Sequence, residues 1–276
     1  MSDKTLLRRQ AILQITQTVG QVQITPLCQR FGVSEPTIRR DLSSLAEQGL
    51  LVRSYGGATA HLTTHHDIET PLEQRRALHR ERKEAIARLA VEIVQDGDTL
   101  LLDGGTTVEA LARALCERKR LTVYTINLFA LPALLNLPDA KLYVLGGEVR
   151  PVSLSTLGIQ TLVALSHITV DRVFLGADGV VANYGLCEAS SEQAWLKQCM
   201  ADRATEIIVL ADSSKLGVAS QQHWATFSRP WRLITDYEAS LEQLAPFKTL
   251  RQVDLRTALK IDAMDPLSNC LSSQAI

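Results

Sequence analysis

The stretch Val33-Ser34-Glu35-Pro36-Thr37-Ile38-Arg39-Arg40-Asp41-Leu42-Ser43-Ser44-Leu45 decides the reading of the N-terminal region. Ser34 offers a side-chain oxygen as a helix N-cap, and Pro36 falls in the first turn, where a missing N–H costs nothing. Ile38, Leu42 and Leu45 then recur at helical spacing and form one apolar stripe, and Gly49 ends the element. With that stripe turned inward, Pro36, Thr37, Arg40, Ser43 and Ser44 point outward, and Arg39 sits at the margin. An arginine forks two hydrogen bonds to a guanine edge or holds a phosphate, and Thr and Ser reach phosphates or bases.

Working outward, Thr25-Pro26 predicts a hydroxyl cap and a first-turn proline for a short helix over Leu27–Phe31, closed by Gly32. A longer helix over Lys4–Val19 precedes it, with Ile12, Ile15 and Val19 as its buried stripe. Two helices joined by a tight glycine-containing turn are the helix-turn-helix signature. Downstream, the run from Leu50 to Gly57 reads as a hairpin, or wing, that places Arg53 and Tyr55 toward a DNA backbone. The candidate DNA-contact set is therefore Thr25, Ser34, Pro36, Thr37, Arg39, Arg40, Ser43, Ser44, Arg53 and Tyr55. A small docking domain with merely solvated arginines is the bland alternative; caps, turn, stripe, basic face and wing in this order argue against it.

The chain has 276 residues, 46% hydrophobic and 21% charged, a globular composition long enough for a small and a larger domain. Its net charge of −1 is uneven. Residues 1–60 carry seven cations against four anions, a balance of +3, which leaves −4 for the remainder. A basic end on a near-neutral protein suggests a local anionic partner. No apolar run approaches the ~20 residues that cross a bilayer, so a cytoplasmic protein with no membrane partner is expected. Five cysteines with no C-x-x-C pair argue against a disulfide scaffold and a structural zinc site.

Residues 60–71 are polar and unpatterned and read as a linker. His61, His65, His66 and Asp67 lie there, but no rigid element is predicted to fix their geometry, so no metal and no cofactor are expected. From Pro71 a charged helix is predicted to about Gln95, with Ile86, Leu89, Ala90 and Ile93 on its apolar face. Strand-like segments follow at Thr99–Leu102, Leu121–Thr125, Lys141–Leu145, Arg172–Gly176, Glu206–Leu210 and Arg232–Thr235. Helix-like segments alternate with them at Val108–Cys116, Leu128–Leu135, Ile159–Leu165 and Glu188–Arg203. This alternation implies an α/β domain with a doubly wound, mostly parallel sheet. The expected organisation is residues 1–59 as a winged helix-turn-helix, 60–71 as linker, 72–259 as the α/β domain, and 260–276 as a disordered tail.

In such sheets ligands bind beyond the C-terminal ends of the strands. Asp103-Gly104-Gly105-Thr106-Thr107 runs from the first of these strands into a helix. Its glycines let the backbone close on a ligand, and the helix start presents free N–H groups to an anion. Gly146 and Gly147 with Arg150, Asp178, and Lys215 stand at other strand ends. Asp178 suits sugar hydroxyls, while Lys215 and Arg150 suit a phosphate. For Asp178, Lys215 and Arg150, a capping or solvated role is the competing account.

The T-I-R-R-D-L core at 37–42, Leu45, Gly49-Leu50 and Tyr55-Gly56-Gly57-Ala58 resemble the DNA-binding domain of the DeoR family of bacterial sugar-metabolism regulators. Four further runs resemble the family's sensor domain: 102–107 (L-D-G-G-T-T), 145–150 (L-G-G-E-V-R), 171–179 (D-R-V-F-L-G-A-D-G) and 211–215 (A-D-S-S-K). The resemblance covers about residues 5 to 255. It implies a sensor similar in fold to ribose-phosphate isomerases and CoA transferases that binds a phosphorylated sugar, on a chain that binds double-stranded operator DNA as a homodimer or homotetramer. The implied effector set is Asp103, Gly104, Gly105, Thr106, Thr107, Asn127, Gly146, Gly147, Arg150, Asp178, Glu188 and Lys215. Where the family usually has Thr-Asn-Ser, this chain has Thr125-Ile126-Asn127, which displaces the asparagine by one position or loses its contact.

The expected function is a DNA-binding transcriptional regulator, a repressor of a carbohydrate-utilisation operon, and not an enzyme. The alternative is a sugar-phosphate isomerase with an accessory domain, because Glu188, Asp178 and Lys215 resemble the acid–base groups of the related isomerases in type and order. The short Tyr184-Gly185-Leu186-Cys187-Glu188 run, and the presence of a wing and a basic helix, argue against it.

Overall fold

A computed structural model describes residues 3–19, 21–47, 51–54, 57–60 and 72–260. The chain divides into two units, the smaller built on Met1–Glu69 and the larger on Thr70–Leu216 and Gln222–Ile276.

The smaller unit runs α1 (Asp3–Val19), β1 (Gln21–Gln23), α2 (Ile24–Phe31), α3 (Glu35–Glu47), β2 (Leu51–Ser54) and β3 (Gly57–Ala60). The three strands form an antiparallel sheet in the order β1-β3-β2. Its core joins Ile12, Val22, Ile24, Leu27, Ile38, Leu42, Leu45 and Leu51, so the stripe read on α3 is the buried one. Gly32 closes α2 in the left-handed region (φ 61), which a residue without Cβ enters at no steric penalty.

The start of α2 differs from expectation. Thr25 is not the cap; the helix begins at Ile24, and Gln23 precedes it with no side-chain cap. The reason is tertiary: Gln21–Gln23 pairs with the wing strand β3, and Ile24, directly after it, is buried in the core. This three-residue strand carries too little pattern to be read locally. The close pairing also explains Gly57, where an added Cβ would lie 1.9 Å from the Val22 carbonyl oxygen. Gly20, Gly49, Tyr55, Gly56 and the linker histidines fall outside the described residues.

The larger unit begins with α4 (Leu72–Ala77), α5 (Arg80–Glu92), β4 (Thr99–Leu102), α6 (Thr106–Ala114), β5 (Thr122–Thr125), α7 (Leu131–Leu134) and β6 (Lys141–Val144). A hairpin of β7 (Glu148–Arg150) and β8 (Ser155–Leu157) leads to α8 (Ile159–Ser166), β9 (Val170–Leu175), β10 (Gly179–Val181) and β11 (Gly185–Glu188). Then follow α9 (Ser191–Asp202), β12 (Ala204–Leu210), β13 (His223–Ala225), β14 (Trp231–Thr235), α10 (Leu241–Lys248) and β15 (Val253–Thr257). Seven strands form one parallel sheet in the order β15-β14-β12-β9-β4-β5-β6. Strand β4 is buried on both faces: Leu101 enters one apolar cluster, and Leu100 and Leu102 enter the other. Such double burial is what an unalternated T-L-L-L strand requires.

The chain leaves β4 in one direction through β5 and β6, and returns from β9 in the other through β12, β14 and β15. The order therefore reverses between β4 and β9, the kind of crevice where doubly wound sheets place ligands.

Two expectations need correction here. The helix expected over 71–95 is two helices, broken at His79, whose φ of 56 is left-handed. The break turns α4 back toward the strand ends, where the Lys83 ammonium donates to the Arg75 carbonyl. Glu188, expected to open a helix, is instead the last residue of β11; α9 starts at Ser191 behind a Ser190 cap. Pairing of β11 with β10 and β13 holds Glu188 in extended form, a non-local constraint with no sequence period.

Candidate functional site

In the smaller unit, α3 carries the candidate DNA face. Pro36, Arg39 and Arg40 are exposed, Thr37, Ser43 and Ser44 are half-buried, and Thr25 is exposed on α2. The Ser34 hydroxyl meets the Thr37 hydroxyl at 3.0 Å, while the Ser34 carbonyl accepts from the Thr37 and Ile38 N–H groups and so starts the helix. Arg39 is engaged within its own helix, its Nε donating to Glu35 Oε1 at 3.0 Å. The side chains of Arg53 and Tyr55 are outside the described residues.

Asp41, inside the T-I-R-R-D-L core, is buried. Its carboxylate accepts from Arg8 Nε at 2.6 Å and Arg9 Nε at 2.8 Å, and Arg9 also donates to Ser44 Oγ at 2.7 Å. Two of the cations that make the N-terminal end basic therefore brace α3 against α1. Ser44 faces that brace.

In the larger unit, the ends of β4 and β9 meet at a buried ion cluster. The Asp103 carboxylate accepts the Gly176 N–H at 2.9 Å and lies 2.7 Å from Lys197 Nζ. Lys197 also donates to the Gly176 carbonyl at 2.7 Å and reaches Glu188 Oε1 at 2.8 Å. Lys197 was absent from the sequence-derived set; on α9 it looks like an ordinary helical lysine, and only the fold points it into the sheet. Burial works against its charge, yet Asp103 and Glu188 together raise its pKa. Glu188 moves the other way from an ordinary carboxylate: burial pushes it up to about 8, opposed by Lys197 and reinforced by the negative charges of Asp178 and Asp103. One ammonium faces two carboxylates in a buried site, and burial disfavours the charged form of Glu188. Asp178, half-buried, stands close enough to act on it.

The Asp103–Thr107 loop is held from beneath. Asn127 is fully buried; its Nδ2 donates to the Asp103 and Gly105 carbonyls at 3.2 and 3.0 Å, and its Oδ1 accepts from Ala130 N–H at 3.2 Å. Its amide thus positions the loop. Gly105 opens α6 with φ 97, a backbone state that glycine adopts without strain. An added Cβ on Gly104 would meet Ser155 at 3.2 Å. Gly147 is tighter: its Cβ would fall 2.3 Å from Thr161 Oγ1 and 2.4 Å from the Leu157 carbonyl. Gly146 lends its carbonyl to Thr161 Oγ1 at 2.7 Å. Gly146 and Gly147 thus serve the hairpin and α8 that flank the site. Arg150 is half-buried, with Nη1 3.4 Å from Ser153 Oγ.

A buried cation stands at the start of α6, within the field of two others. Lys83 of α5, nine-tenths buried, donates to Thr106 Oγ1 at 2.9 Å. Burial pushes its pKa down to about 8; Asp212 opposes this, and the positive charges of Lys215 and Arg75 add to it. Lys215 lies in the short turn Ser213–Lys215 after β12, which Asp236 fixes by accepting from Ser213 Oγ at 3.1 Å. Thr106 and Lys215 stand in strand-end motifs that the sequence marks as candidates; Lys83 shares no motif with them and was not among the candidates. Thr107 is half-buried in the same loop. Among the described residues no group of three or more His, Cys, Asp or Glu side chains could hold a metal, and none of the described helices is long and apolar enough to cross a membrane.

The geometry is thus an anion-receptive loop, a buried acid–lysine–acid cluster beside it, and a separate helix-turn-helix unit. Known proteins match both halves. Residues 8–64 match the DeoR-like helix-turn-helix domain, and residues 78–237 match the DeoR C terminal sensor domain. The glycerol-3-phosphate regulon repressor of Escherichia coli K12 is 32% identical over 233 residues, 84% of this chain and 91% of that one. The lactose phosphotransferase system repressor of Streptococcus mutans is 31% identical over 231 residues, 83% of this chain and 91% of that one. A solved ribose 5-phosphate isomerase of Methanocaldococcus jannaschii overlaps 50% of this chain and 54% of its own at 22% identity, with a TM-score of 0.36. With a sensor-domain match over more than half its length and a helix-turn-helix match before it, the chain belongs to the DeoR family of DNA-binding transcriptional regulators.

Proposed function

We propose that this regulator represses a carbohydrate-utilisation operon and is switched by a phosphorylated sugar held at the strand ends of its larger unit, as a cytoplasmic homodimer or homotetramer on operator DNA. The observation that carries the effector assignment is Lys83, buried against Thr106 Oγ1 at the start of α6, with the positive charges of Lys215 and Arg75 close enough to act on it. Partly dehydrated cations beside free helix-start N–H groups favour a compact oxyanion. Asp178 and Glu188 stand on the neighbouring side, suited to the hydroxyls of the carbon chain. Lys197 and Asn127 act behind this surface, holding Asp103, Glu188 and the loop in place. The two relatives, a glycerol-3-phosphate regulon repressor and a lactose phosphotransferase system repressor, support the same reading over the isomerase alternative.

On the DNA side, Arg40, exposed on α3, is assigned to direct contact, with Thr37 and Ser43 beside it. The effector alters DNA affinity only by its differential affinity for two arrangements of the protein.

The test is thermal unfolding against a panel of sugar phosphates and their unphosphorylated parents, repeated with DNA from the chain's own upstream region. A rise in midpoint with one phosphate and not its parent, together with a change in DNA affinity, is the expected result. In Lys215→Ala that rise shrinks; a Lys215→Ala protein with an undiminished rise overturns the assigned site.

A further inference from the structure

We infer that α4 is a built-in competitor for the effector's phosphate, so that binding at the Thr106 loop has to displace the helix through which the larger unit is joined, along the chain, to the DNA-binding unit. The inference rests on the phosphate site assigned above and adds its regulation.

The two groups best placed to hold a phosphate oxygen already have an acceptor. Lys83 Nζ donates to the backbone carbonyl of Arg75, near the end of α4, and Thr106 Oγ1 lies 3.4 Å from the same oxygen. A carbonyl oxygen is a partial negative charge that only accepts, and so are the oxygens of a phosphate dianion. Thr106 Oγ1 has one proton to give, to the carbonyl or to a phosphate, and the two negative oxygens repel each other where they meet at Lys83. With no effector present, the carbonyl gives the buried ammonium a second acceptor beside Thr106 Oγ1. An incoming phosphate supplies a full charge in its place, a stronger partner for the same donors.

Among the described residues, contacts outside the loop also hold α4 in this position. Leu72 is buried, and α4 packs on α6. Arg75 Nη2 donates to the Val152 carbonyl at 2.8 Å, in the turn between β7 and β8. The Arg76 guanidinium lies 5.0 Å over the Phe129 ring and 3.6 Å from Glu109 Oε1. Six residues long and followed by the left-handed residue His79, α4 can shift about that break without carrying α5 with it. Its N-terminal end follows residues 61–71, the segment that runs to the helix-turn-helix.

The experiment measures inorganic phosphate binding by calorimetry on the full chain, in the wild type, Thr106→Val, Arg76→Ala and Leu72→Ala. Thr106→Val reads the site, and the other two loosen α4. Arg76→Ala removes a cation, whereas Leu72→Ala leaves the field unchanged, so agreement between them excludes a purely electrostatic effect. The expected result is weaker binding in Thr106→Val and binding about tenfold tighter in both α4 variants, because a larger fraction of the protein is then competent to bind. Hydrogen exchange of the α4 amides accelerates when phosphate is added to the wild type. If Thr106→Val binds phosphate as well as the wild type, the site and the competitor fall together. If Thr106→Val weakens binding while the α4 variants bind no more tightly, or if α4 exchange slows with phosphate, the site stands and the competitor falls.

Discussion

The two functional surfaces of this chain are built by opposite strategies. The proposed DNA face is largely local: Ser34, Pro36, Thr37, Arg39, Arg40, Ser43 and Ser44, seven of its ten candidate residues, lie within eleven consecutive positions on and just before one helix. The proposed effector site draws on α5, the ends of β4, β9, β11 and β12, and the interior face of α9, spanning residues 83 to 215. A surface on one helix can lose a side chain without disturbing the fold. A site made of strand ends is also the junction of the core, so its polar groups hold the fold together while they wait for a ligand. Asp41 is the exception in the first surface, because it lies behind the contact face rather than on it.

The sharpest break in that comparison comes from Lys197. Lys197→Met removes the one ammonium between two buried carboxylates, and the larger unit should lose about 3–5 kcal/mol of stability in urea unfolding. A loss below about 1 kcal/mol would show that the cluster is not a structural junction. Arg40→Ala is the counterpart: operator affinity should fall by about 1–3 kcal/mol at fixed salt, with the unfolding curve essentially unmoved. An Arg40→Ala protein that binds its operator like the wild type removes Arg40 from the contact face.

Asp41→Asn tests the exception. It keeps the shape but weakens two charge-assisted bonds from Arg8 and Arg9, so it should lower stability of the smaller unit by about 2 kcal/mol and reduce DNA affinity through α3. If DNA affinity falls with no change in unfolding, Asp41 belongs with the contact residues instead.

Glu188 gives a subtler, pH-dependent effect. Its native pKa of about 8 exceeds the value of about 4.3 in an unfolded chain. The native state therefore holds the extra proton between these values. Its favourable contribution is complete below the unfolded value and declines as pH rises through about 8. Glu188→Gln should flatten that decline, leaving the variant more stable than the wild type near pH 8 and similar at pH 4 in denaturant titrations. Parallel curves across that range would place the proton elsewhere. The smallest effect concerns Lys83. Its ammonium is charged below about 8, so phosphate affinity should weaken as pH rises past that value, and Lys83→Arg should extend binding to higher pH. Equal alkaline limits in both proteins would separate Lys83 from the anion.

Much of this molecule was legible before any coordinates. The stripe Ile38, Leu42, Leu45, the αL glycine at 32, and the strand at Thr99–Leu102 followed by a glycine turn are all recorded in short-range periodicity and turn chemistry. Local order of this kind is written in neighbouring residues because helices repeat every 3.6 positions and a doubly buried strand needs an unbroken apolar run. Only the tertiary structure decided the rest. It ended the helix at His79, kept Glu188 on a strand, started α2 without Thr25 as its cap, and turned Arg8 and Arg9 inward onto Asp41. It also recruited Lys83 and Lys197, two lysines with nothing around them in the sequence to mark them. Their roles come from which carboxylates, hydroxyls and carbonyls the parallel sheet delivers to one place, and burial makes each such encounter energetically decisive.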